Sequence, residues 1–328
     1  MKLKSLSALC AALVLTVAAV AQAQEPLVLK GGLAVDPTYH YYYGLEQFGK
    51  ALEAKSNGRI KLEIFHSGQL GGERDLIEGL GLGTIDVAAT SGGAGSSFVK
   101  ELACLEMPYL FDSREQAYKA IDSPVGQGLL KKLESSGVIG LGYFENGMSQ
   151  ISNNVRPVKT PDDLKNIKVR VKESPLPIAT LRAYGANPTP MAWAEVFPAL
   201  QQKTIDGLET PLPAYKSHRL FEVQKYLSLL NYSYSPALFM FSQATMESLS
   251  AEDQAIVWAA AKEAIAAQRV YGTKYAEDSL PELRASGMEV TETKDIDIEA
   301  FKKASEVVYT EFDKEFGQLV KDLKAAGQ

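Results

Sequence analysis

The amino-acid sequence predicts an α/β protein of two lobes that enclose a cleft. Segments typical of strands and of helices alternate along the chain, which favours a sheet covered by helices. The length of 328 residues suggests two domains. No internal repeat and no tether rich in proline, glycine or serine separates the two sets of elements. We therefore expect the chain to cross between the lobes more than once through strands, with a hinge beside the cleft.

The first 23 residues are typical of a secretory signal peptide. Two lysines precede an almost unbroken apolar run at 6–20, and Ala21-Gln22-Ala23 places small residues where a signal peptidase reads them. A membrane anchor is the alternative, but about 15 apolar residues are short for a span that needs roughly 20. A lipoprotein signal at Cys10 is the second alternative, and its flanking residues match poorly. Cleavage after Ala23 predicts an exported, periplasmic protein.

Charge and cysteine content exclude several classes of function. The chain carries 34 Lys and Arg against 40 Asp and Glu, a net charge of -6, which disfavours nucleic-acid binding. Without Cys10 the only cysteine is Cys104, so no intramolecular disulfide is expected, and a lone cysteine among apolar residues is typically buried. No later segment approaches 18 consecutive apolar residues, so we predict no stable membrane insertion.

The first set of elements lies between residues 27 and 147. The strand at 59–65 alternates charged and apolar residues, and the helix at 39–56 repeats apolar residues near the helical period. Asn57-Gly58 ends that helix with residues that tolerate left-handed backbone. The predicted elements are strands at 27–31, 59–65, 85–89 and 138–144, helices at 39–56, 73–82, 114–122 and 124–136, and a turn at Gly147.

The second set follows that turn. Ser250 caps its long helix, and Glu252 and Asp253 lie in the first turn, where the helix dipole favours negative charge. Pro281 is expected to end or kink this helix. The predicted elements are strands at 167–171, 205–208, 226–231 and 237–241 and helices at 175–184, 193–202, 251–280 and 298–325.

The signatures of common enzyme chemistry are missing from the sequence. The histidines are not spaced as metal ligands would be, and no hydrolase, P-loop or dinucleotide motif follows a strand and opens a helix. We therefore predict no metal, no cofactor and no catalytic residue. The glycine-rich segment 92–97 either cradles an anion with its backbone amides or is a flexible connection.

Arg170 is the most informative cation. Lys168, Arg170 and Lys172 share one face of a predicted strand because side chains alternate with a period of two. That face is either a solvated basic surface, or Arg170 points into the cleft, where its guanidinium holds a carboxylate by two parallel hydrogen bonds. Aromatic residues at 39–43, 193 and 232–241 mostly fill cores in such patterns, and a minority could wall a small-molecule pocket.

Five segments, in order behind the signal peptide, together resemble one protein family. They are Gly68-Gln69-Leu70-Gly71, Leu105-Glu106-Met107-Pro108-Tyr109-Leu110-Phe111, the Thr-Pro-Asp-Asp-Leu-Lys-Asn-Ile-Lys-Val-Arg run at 160–170, the Gly-Ala-Asn-Pro-Thr-Pro-Met run at 185–191 and the Ile-Asp-Gly-Leu-Glu-Thr-Pro run at 205–211. Each segment is weak alone, and all five together are specific. The mature chain resembles the substrate-binding proteins of tripartite ATP-independent periplasmic (TRAP) transporters, in the dicarboxylate-binding, DctP-like family.

The resemblance implies a two-lobed periplasmic-binding-protein fold, type II-like, with the long helix near 251–280 crossing both lobes. We assign 24–147 and 236–275 to lobe I, and 148–235 and 276–328 to lobe II, with the ligand cleft between them.

The resemblance also implies which residues hold the ligand. Arg170 pairs with the ligand carboxylate, and Trp193 falls where the family often places a pocket aromatic. Thr210 stands where the family commonly has asparagine, so a polar contact there is changed. Glu73 and Ser91 correspond to cleft positions in the first lobe.

Ser149 departs from the family pattern, because the family usually has an arginine there. We keep Ser149 among the predicted ligand contacts, but the missing cation puts a dicarboxylate in doubt and favours a monocarboxylate, such as a hydroxy or keto acid. Lys172 either replaces that cation in the cleft or is a surface lysine, and we expect the surface position.

The sequence thus predicts a periplasmic solute receptor that binds a small organic acid and delivers it to TRAP permease subunits without catalysis. A sensor that presents its closed form to a receptor kinase is one alternative, and a periplasmic enzyme using the same cleft is another. Turnover of the bound acid would identify an enzyme, and genes for two permease subunits nearby would favour transport over sensing.

Overall fold

The computed structural model describes residues 25–328, and the signal peptide predicted at 1–23 lies outside them. The described chain contains ten strands and eleven α-helices. The strands are β1 Leu27–Gly32, β2 Ile60–Phe65, β3 Val87–Ser91, β4 Val138–Asn153, β5 Lys168–Val171, β6 Asn187–Pro190, β7 Gly207–Pro211, β8 Tyr226–Ser228, β9 Tyr234–Ser242 and β10 Glu289–Thr291. The helices are α1 His40–Lys55, α2 Glu73–Gly81, α3 Gly92–Gly95, α4 Arg114–Asp122, α5 Pro124–Lys131, α6 Pro175–Ala183, α7 Trp193–Gln201, α8 Leu212–Ser217, α9 Gln243–Ser248, α10 Ala251–Ala285 and α11 Ile298–Gly327.

The strands form two sheet regions that share β4, and these are the cores of the two lobes. In the first lobe the order is β2-β1-β3-β9-β4, with β1 parallel to its neighbours and β9 antiparallel to β3 and β4. In the second lobe the distal end of β4 pairs with β7 and β8, β7 continues to β5 and β6, and β8 continues to β10. The predicted two-lobed α/β class is confirmed.

The long strand β4 carries the chain from one lobe to the other. Its first part pairs with β9 up to Met148, and from Ser149 onward it pairs with β7. The predicted turn at Gly147 is wrong. Gly147 has a φ of 132° and lies at a register shift between Phe144 and Gly147, so the glycine absorbs a bulge and the strand continues.

Helix α10 spans both lobes, as expected. It packs against α1 in the first lobe and α8 in the second. It also runs through Pro281 and ends at Ala285, so of the two alternatives predicted for Pro281, an end or a kink, the end is wrong. No helix in residues 25–328 combines the length and apolar character needed to cross a bilayer.

Helix α11 contacts both lobes. Phe301 near its start lies in the second-lobe core with Val169 and Tyr184, whereas Val320 and Leu323 near its end pack in the first-lobe core. The residue boundaries that we assign to the lobes stay a prediction.

The first-lobe core covers both faces of its sheet. Phe48 of α1 packs edge-on against Phe239 of β9, which stacks on Phe144 of β4. Cys104 is fully buried on the other side of the sheet, as predicted, and burial raises the pKa of its thiol to about 12.

Candidate functional site

A small cavity of about 40 Å³ lies between the two lobes, at the ends of their strands. A second cavity of about 230 Å³ lies next to this inner cavity and is lined by several of the same side chains. Residues of the first lobe and of the second lobe face each other across it. The inner cavity is lined by Ala34, Val35, Tyr39, Tyr41, Glu73, Ser91, Asn146, Arg170, Lys172, Trp193, Thr210, Pro211, Ala214 and His218.

The structure brings together five of the six side chains predicted to hold a ligand. Glu73 and Ser91 come from the first lobe, and Arg170, Trp193 and Thr210 come from the second; all five line the inner cavity.

Ser149 lies outside that lining. It is buried on β4, where its backbone N–H donates to the Ser233 carbonyl at 2.8 Å, and its hydroxyl has no hydrogen-bond partner among the described residues.

Strand β5 aims Arg170 into the cavity. The flanking Val169 and Val171 are buried in the core on the other face of the strand, so the predicted alternation is confirmed. The guanidinium Nε and Nη2 both donate to the Met191 carbonyl, at 3.0 and 2.8 Å. Its carbon lies 5.4 Å from the centre of the Trp193 ring, within cation–π range. These contacts fix the guanidinium plane and leave Nη1 without a hydrogen bond in the described chain.

No carboxylate of the described chain forms an ion pair with Arg170, although the residue is only 4% exposed. Burial lowers the pKa of this guanidinium below its ordinary value, against the opposing charges of Glu209 and Glu73. An arginine stays charged in proteins. The site therefore holds a desolvated cation that an anionic ligand would stabilise.

Glu73 and Ser91 form one unit on the opposite wall. Glu73 opens α2, and its two carboxylate oxygens accept from the Ser91 backbone N–H at 2.6 Å and from the Ser91 hydroxyl at 2.7 Å. The carboxylate is thereby held at the end of β3. It adds negative charge, rather than a cation, to this side of the cavity.

Lys172 is not the surface lysine that we expected. Its side chain is 12% exposed, and Nζ donates to Glu106 at 2.6 Å and to the Ser235 hydroxyl at 2.9 Å. Glu209 lies 4.0 Å away. Burial lowers the pKa of the ammonium, but Glu106 and Glu209 together raise it by more, so the net shift is upward. The second cation of the cavity is therefore already neutralised by the protein.

The sequence analysis did not predict two polar residues that line the cavity from the first lobe. Tyr39 donates to the Asn146 side-chain carbonyl at 2.5 Å, and both residues line the cavity. The crowding of tyrosines at the start of α1 was the available signal for Tyr39. Asn146 had no signal, because its orientation depends on the bulge in β4.

His218 was missed as well. It packs edge-on against Trp193 with ring centres 4.7 Å apart, and its Nε2 lies 3.3 Å from Asp36. Burial lowers the pKa of His218 despite the nearby carboxylate of Asp36. The imidazole is therefore neutral at neutral pH and contributes no third cation.

The glycine-rich segment 92–97 does not line the inner cavity, although Ala94 and Ser97 border the second cavity. Residues 92–95 form the short helix α3, and Gly92, Gly93 and Gly95 are buried. A Cβ on Gly93 would lie 3.0 Å from the carboxylate of Glu106, so the glycine allows α3 to approach this carboxylate closely. No three metal-ligating side chains of residues 25–328 are arranged around a common point.

One family model matches most of the chain. It is described as bacterial extracellular solute-binding protein, family 7, and it covers residues 32–315. Among curated proteins, the 2,3-diketo-L-gulonate-binding periplasmic protein of Escherichia coli is 36% identical over 278 residues, 84% of this chain and 84% of its own length.

Solved structures of TRAP periplasmic solute binding proteins have the same fold. One from Bordetella bronchispeptica, with density assigned to pantoate, is 41% identical with a TM-score of 0.88 and covers 91% of this chain and 98% of its own. Another, from a Polaromonas species and bound to D-erythronate, is 38% identical with a TM-score of 0.88 and covers 92% and 98%.

Proposed function

The chain belongs to the bacterial extracellular solute-binding proteins of family 7, the TRAP periplasmic receptors, and we propose that its ligand is a short hydroxylated monocarboxylate anchored by Arg170. Proteins of this family are receptors that bind small acids and not enzymes, and they act in the periplasm. Delivery of the acid to TRAP permease subunits in the membrane is part of the proposal.

The observation that carries the proposal is the unpaired, buried guanidinium of Arg170. Two of its nitrogens are bound to the Met191 carbonyl, and Trp193 covers its face. The remaining nitrogen, Nη1, has no hydrogen-bond partner among the described residues. A carboxylate bound there would complete a charge-assisted interaction that the protein itself leaves open.

The distribution of charge supports a ligand with one carboxylate. Lys172 is bonded to Glu106 and lies near Glu209, and Glu73 faces the cavity from the other lobe. A second carboxylate on the ligand would face Glu73 in the cavity and would find no cation there without an acidic partner of its own other than Arg170, which holds the first carboxylate. Leaving a buried charged group unsatisfied costs about 1–3 kcal/mol or more.

The ligands of the relatives support the same class. The E. coli relative is named for 2,3-diketo-L-gulonate, one solved structure has density assigned to pantoate, and the other is bound to D-erythronate. Each of these acids carries one carboxylate and several oxygen groups along a carbon chain. The polar lining of the cavity, with Tyr39, Asn146 and Thr210, offers partners for such oxygens.

We further propose that the ligand holds the two lobes closed. Arg170, Trp193 and Thr210 belong to one lobe, and Glu73 and Ser91 to the other. A ligand that contacts both sets binds the closed state more tightly than the open one and shifts the population toward it.

Titration calorimetry with D-erythronate and succinate tests the proposal. Both acids have four carbons, but succinate carries a second carboxylate at carbon 4 and lacks the hydroxyls on carbons 2 and 3. We expect the wild-type protein to bind D-erythronate more tightly. Arg170→Ala should weaken binding by at least about 30-fold, since truncating one partner of a buried charge pair costs roughly 2–5 kcal/mol. Arg170→Lys should also be weakened, because an ammonium cannot reproduce the planar guanidinium geometry.

Two results would contradict the proposal. Binding by Arg170→Ala within about threefold of the wild type would remove Arg170 as the anchor, because that range lies far below the expected cost. Tighter binding of succinate than of D-erythronate would contradict the monocarboxylate class.

A further inference from the structure

A chain of hydrogen bonds runs behind the wall of the cavity, from a buried carboxylate to a tyrosine. Lys172 Nζ and the Ser235 hydroxyl both donate to the same oxygen of Glu106, Oε1, at 2.6 and 2.9 Å. Ser235 Oγ in turn accepts from Lys172 at 2.9 Å and from the Asn146 amide at 3.2 Å. Asn146 Oδ1 accepts from the Tyr39 hydroxyl at 2.5 Å.

Glu106 determines the direction of every bond in this chain. An ionised carboxylate only accepts hydrogen bonds, so Ser235 must donate its single hydroxyl hydrogen to Glu106. Ser235 can then only accept from its other neighbours, so Asn146 must turn its NH₂ group toward Ser235. The carbonyl of Asn146 therefore faces Tyr39, and Tyr39 must donate to it.

Glu106 is held rigidly in place, although it does not line the cavity. It is 2% exposed, and its backbone carbonyl accepts from the Ser233 hydroxyl at 3.0 Å. Gly93 packs so closely that a Cβ there would lie 3.0 Å from Glu106 Oε2. Ser235 is fully buried. The group that determines the direction of these hydrogen bonds is therefore a fixed, buried carboxylate and not a mobile surface side chain.

We propose that Glu106 is a positioning residue for specificity, which orients this chain so that the cavity wall recognises hydroxyl groups beside the ligand carboxylate. This inference rests on the proposed function. Lys172 has three N–H groups and uses two of them, on Glu106 and Ser235, and Asn146 uses one of its two amide N–H groups on Ser235. One further N–H of each is available to a ligand, while Tyr39, whose hydrogen is committed to Asn146, offers the lone pairs of its oxygen.

The wall thus presents donors from Lys172 and Asn146 and an acceptor from Tyr39. A hydroxyl group both donates and accepts, so it can satisfy a donor and an acceptor together, whereas a methylene can satisfy neither. An acid without hydroxyls would leave these buried groups unpaired, and sites that bind a hydroxyl by hydrogen bonds discriminate strongly against analogues that lack it. The selected class is therefore a carboxylic acid with hydroxyls on the carbons next to the carboxylate.

The experiment compares D-erythronate with 4-hydroxybutanoate, which has the same charge and carbon chain but lacks the hydroxyls on carbons 2 and 3. Dissociation constants for both are measured by calorimetry on the wild type, Glu106→Gln and Ser235→Ala. The amide introduced by Glu106→Gln can donate as well as accept, so it no longer determines the direction of the chain, and Ser235→Ala interrupts the chain one residue further on. We expect the wild-type preference for D-erythronate to fall by about tenfold in each variant, the equivalent of one lost hydrogen bond.

Glu209→Gln is the matched control. It also removes a buried carboxylate near Lys172, 4.0 Å away, but Glu209 has no bond to Ser235, Asn146 or Tyr39. We expect it to change the preference by less than about threefold, since no hydrogen bond of the chain is lost. Melting temperatures without ligand show whether each variant folds. If Glu106→Gln does not fold, the result for Ser235→Ala decides the test.

The inference is overturned if the wild type binds the two acids equally well, if Ser235→Ala retains the full preference, or if Glu209→Gln lowers the preference as much as Glu106→Gln does. In each of these cases acids can still bind and Arg170→Ala can still abolish binding, so the proposed function survives. If neither acid binds and Arg170→Ala changes nothing for any organic acid, the proposed function itself fails.

Discussion

Two ionic clusters lie in the interior of the protein, and they differ in how completely the protein satisfies their charged groups. The crossover cluster consists of Arg114, Tyr118, Glu145 and Tyr234. The cleft cluster consists of Glu106, Arg170, Lys172 and Glu209. Each contains at least one buried carboxylate and one cation, so their composition does not separate them.

Every polar atom of Glu145 in the crossover cluster has a partner. Its carboxylate accepts from Arg114 at 2.8 Å, Tyr118 at 2.8 Å and Tyr234 at 2.9 Å. Gln268 of α10 bonds to both the N–H and the carbonyl of the Glu145 backbone, at 2.7 and 2.9 Å. This cluster therefore joins the crossover strand to α4, β9 and α10 and leaves nothing for a ligand.

The cleft cluster is left incomplete. Glu106 Oε2 and Glu209 Oε1 have no hydrogen-bond partner among the described residues, although Glu209 Oε1 lies 4.0 Å from Lys172, and Arg170 has no carboxylate partner there. The two arginines show the contrast directly. Burial lowers the pKa of both, but Glu145 more than compensates at Arg114, whereas at Arg170 the net pKa is lowered. Removing one partner of a satisfied buried ion pair is costly, whereas a buried cation that lacks an anionic partner would be stabilised by an anionic ligand.

The largest expected effect is on stability: a substitution in the crossover cluster should destabilise the protein, whereas a substitution in the cleft cluster should not. Glu145→Gln should lower the free energy of unfolding by about 3 kcal/mol, because Arg114 is left without its buried partner. Arg170→Ala should leave the free energy of unfolding of the apo protein within about 1 kcal/mol of wild type, since loss of a desolvated cation offsets loss of its packing. Urea denaturation without ligand measures both. Equal destabilisation by the two substitutions would remove the distinction.

Acid should weaken the core next to the crossover cluster. Burial, with a contribution from Arg114, lowers the pKa of His40 to about 3. Its Nδ1 accepts from Gln268 at 2.8 Å, and it packs against Tyr39 and Tyr275. The unfolded chain binds more protons than the folded one between pH 6.5 and about 3, so stability is lost as the pH falls through this window.

The expected contribution of His40 approaches about 1.4 kcal/mol per pH unit inside that window. His40→Gln keeps an acceptor for Gln268 and should flatten the acid limb of a plot of unfolding free energy against pH. His66→Gln is the control, because His66 is only partly buried. An unchanged acid limb in His40→Gln would mean that other groups cause the acid sensitivity.

The close packing of α1 against β4 and α10 should be sensitive to the addition of a single methyl group. A Cβ on Gly44 would lie 2.6 Å from the ring of Phe144 and 2.8 Å from Gln268. Gly44→Ala should therefore destabilise the protein by about 1–3 kcal/mol. Gly128 on α5 has nothing within 4 Å of such a Cβ, so Gly128→Ala should instead stabilise by up to about 1 kcal/mol. Thermal unfolding of both variants tests these two predictions. A Gly44→Ala variant as stable as the wild type would show that the packing of α1 against β4 and α10 can relax.

The smallest effect is a spectroscopic signal from the cleft. Trp193 borders the cavity and contacts Arg170 and His218, whereas Trp258 is 46% exposed on α10. Binding of D-erythronate should change tryptophan emission, Trp193→Phe should remove most of that change, and Trp258→Phe should retain it. A ligand-induced change that persists in Trp193→Phe would place the reporter outside the cleft.

Local rules predicted most elements because they depend on residues close together in the chain. The alternation at 168–172 correctly placed Arg170 and Lys172 on one face, and the capping residue Ser250 marks the start of α10. β6 was missed because two of its four residues are prolines, which a strand accepts only at an edge, and β6 is the last strand of its sheet.

The sequence by itself determined the two-lobed α/β class, the family resemblance and five side chains that line the cavity. Only the tertiary structure decided which charged side chains are already paired with other side chains of the protein. Whether Lys172 is a free cation depends on Glu106 and Ser235, which lie 66 and 63 residues away along the chain. Electrostatic pairing depends on distance in space and on burial, and neither is encoded in the spacing of neighbouring residues. The position of Arg170 in the cavity could therefore be predicted from a strand pattern and a resemblance, whereas the pairing of Lys172 with Glu106 could not.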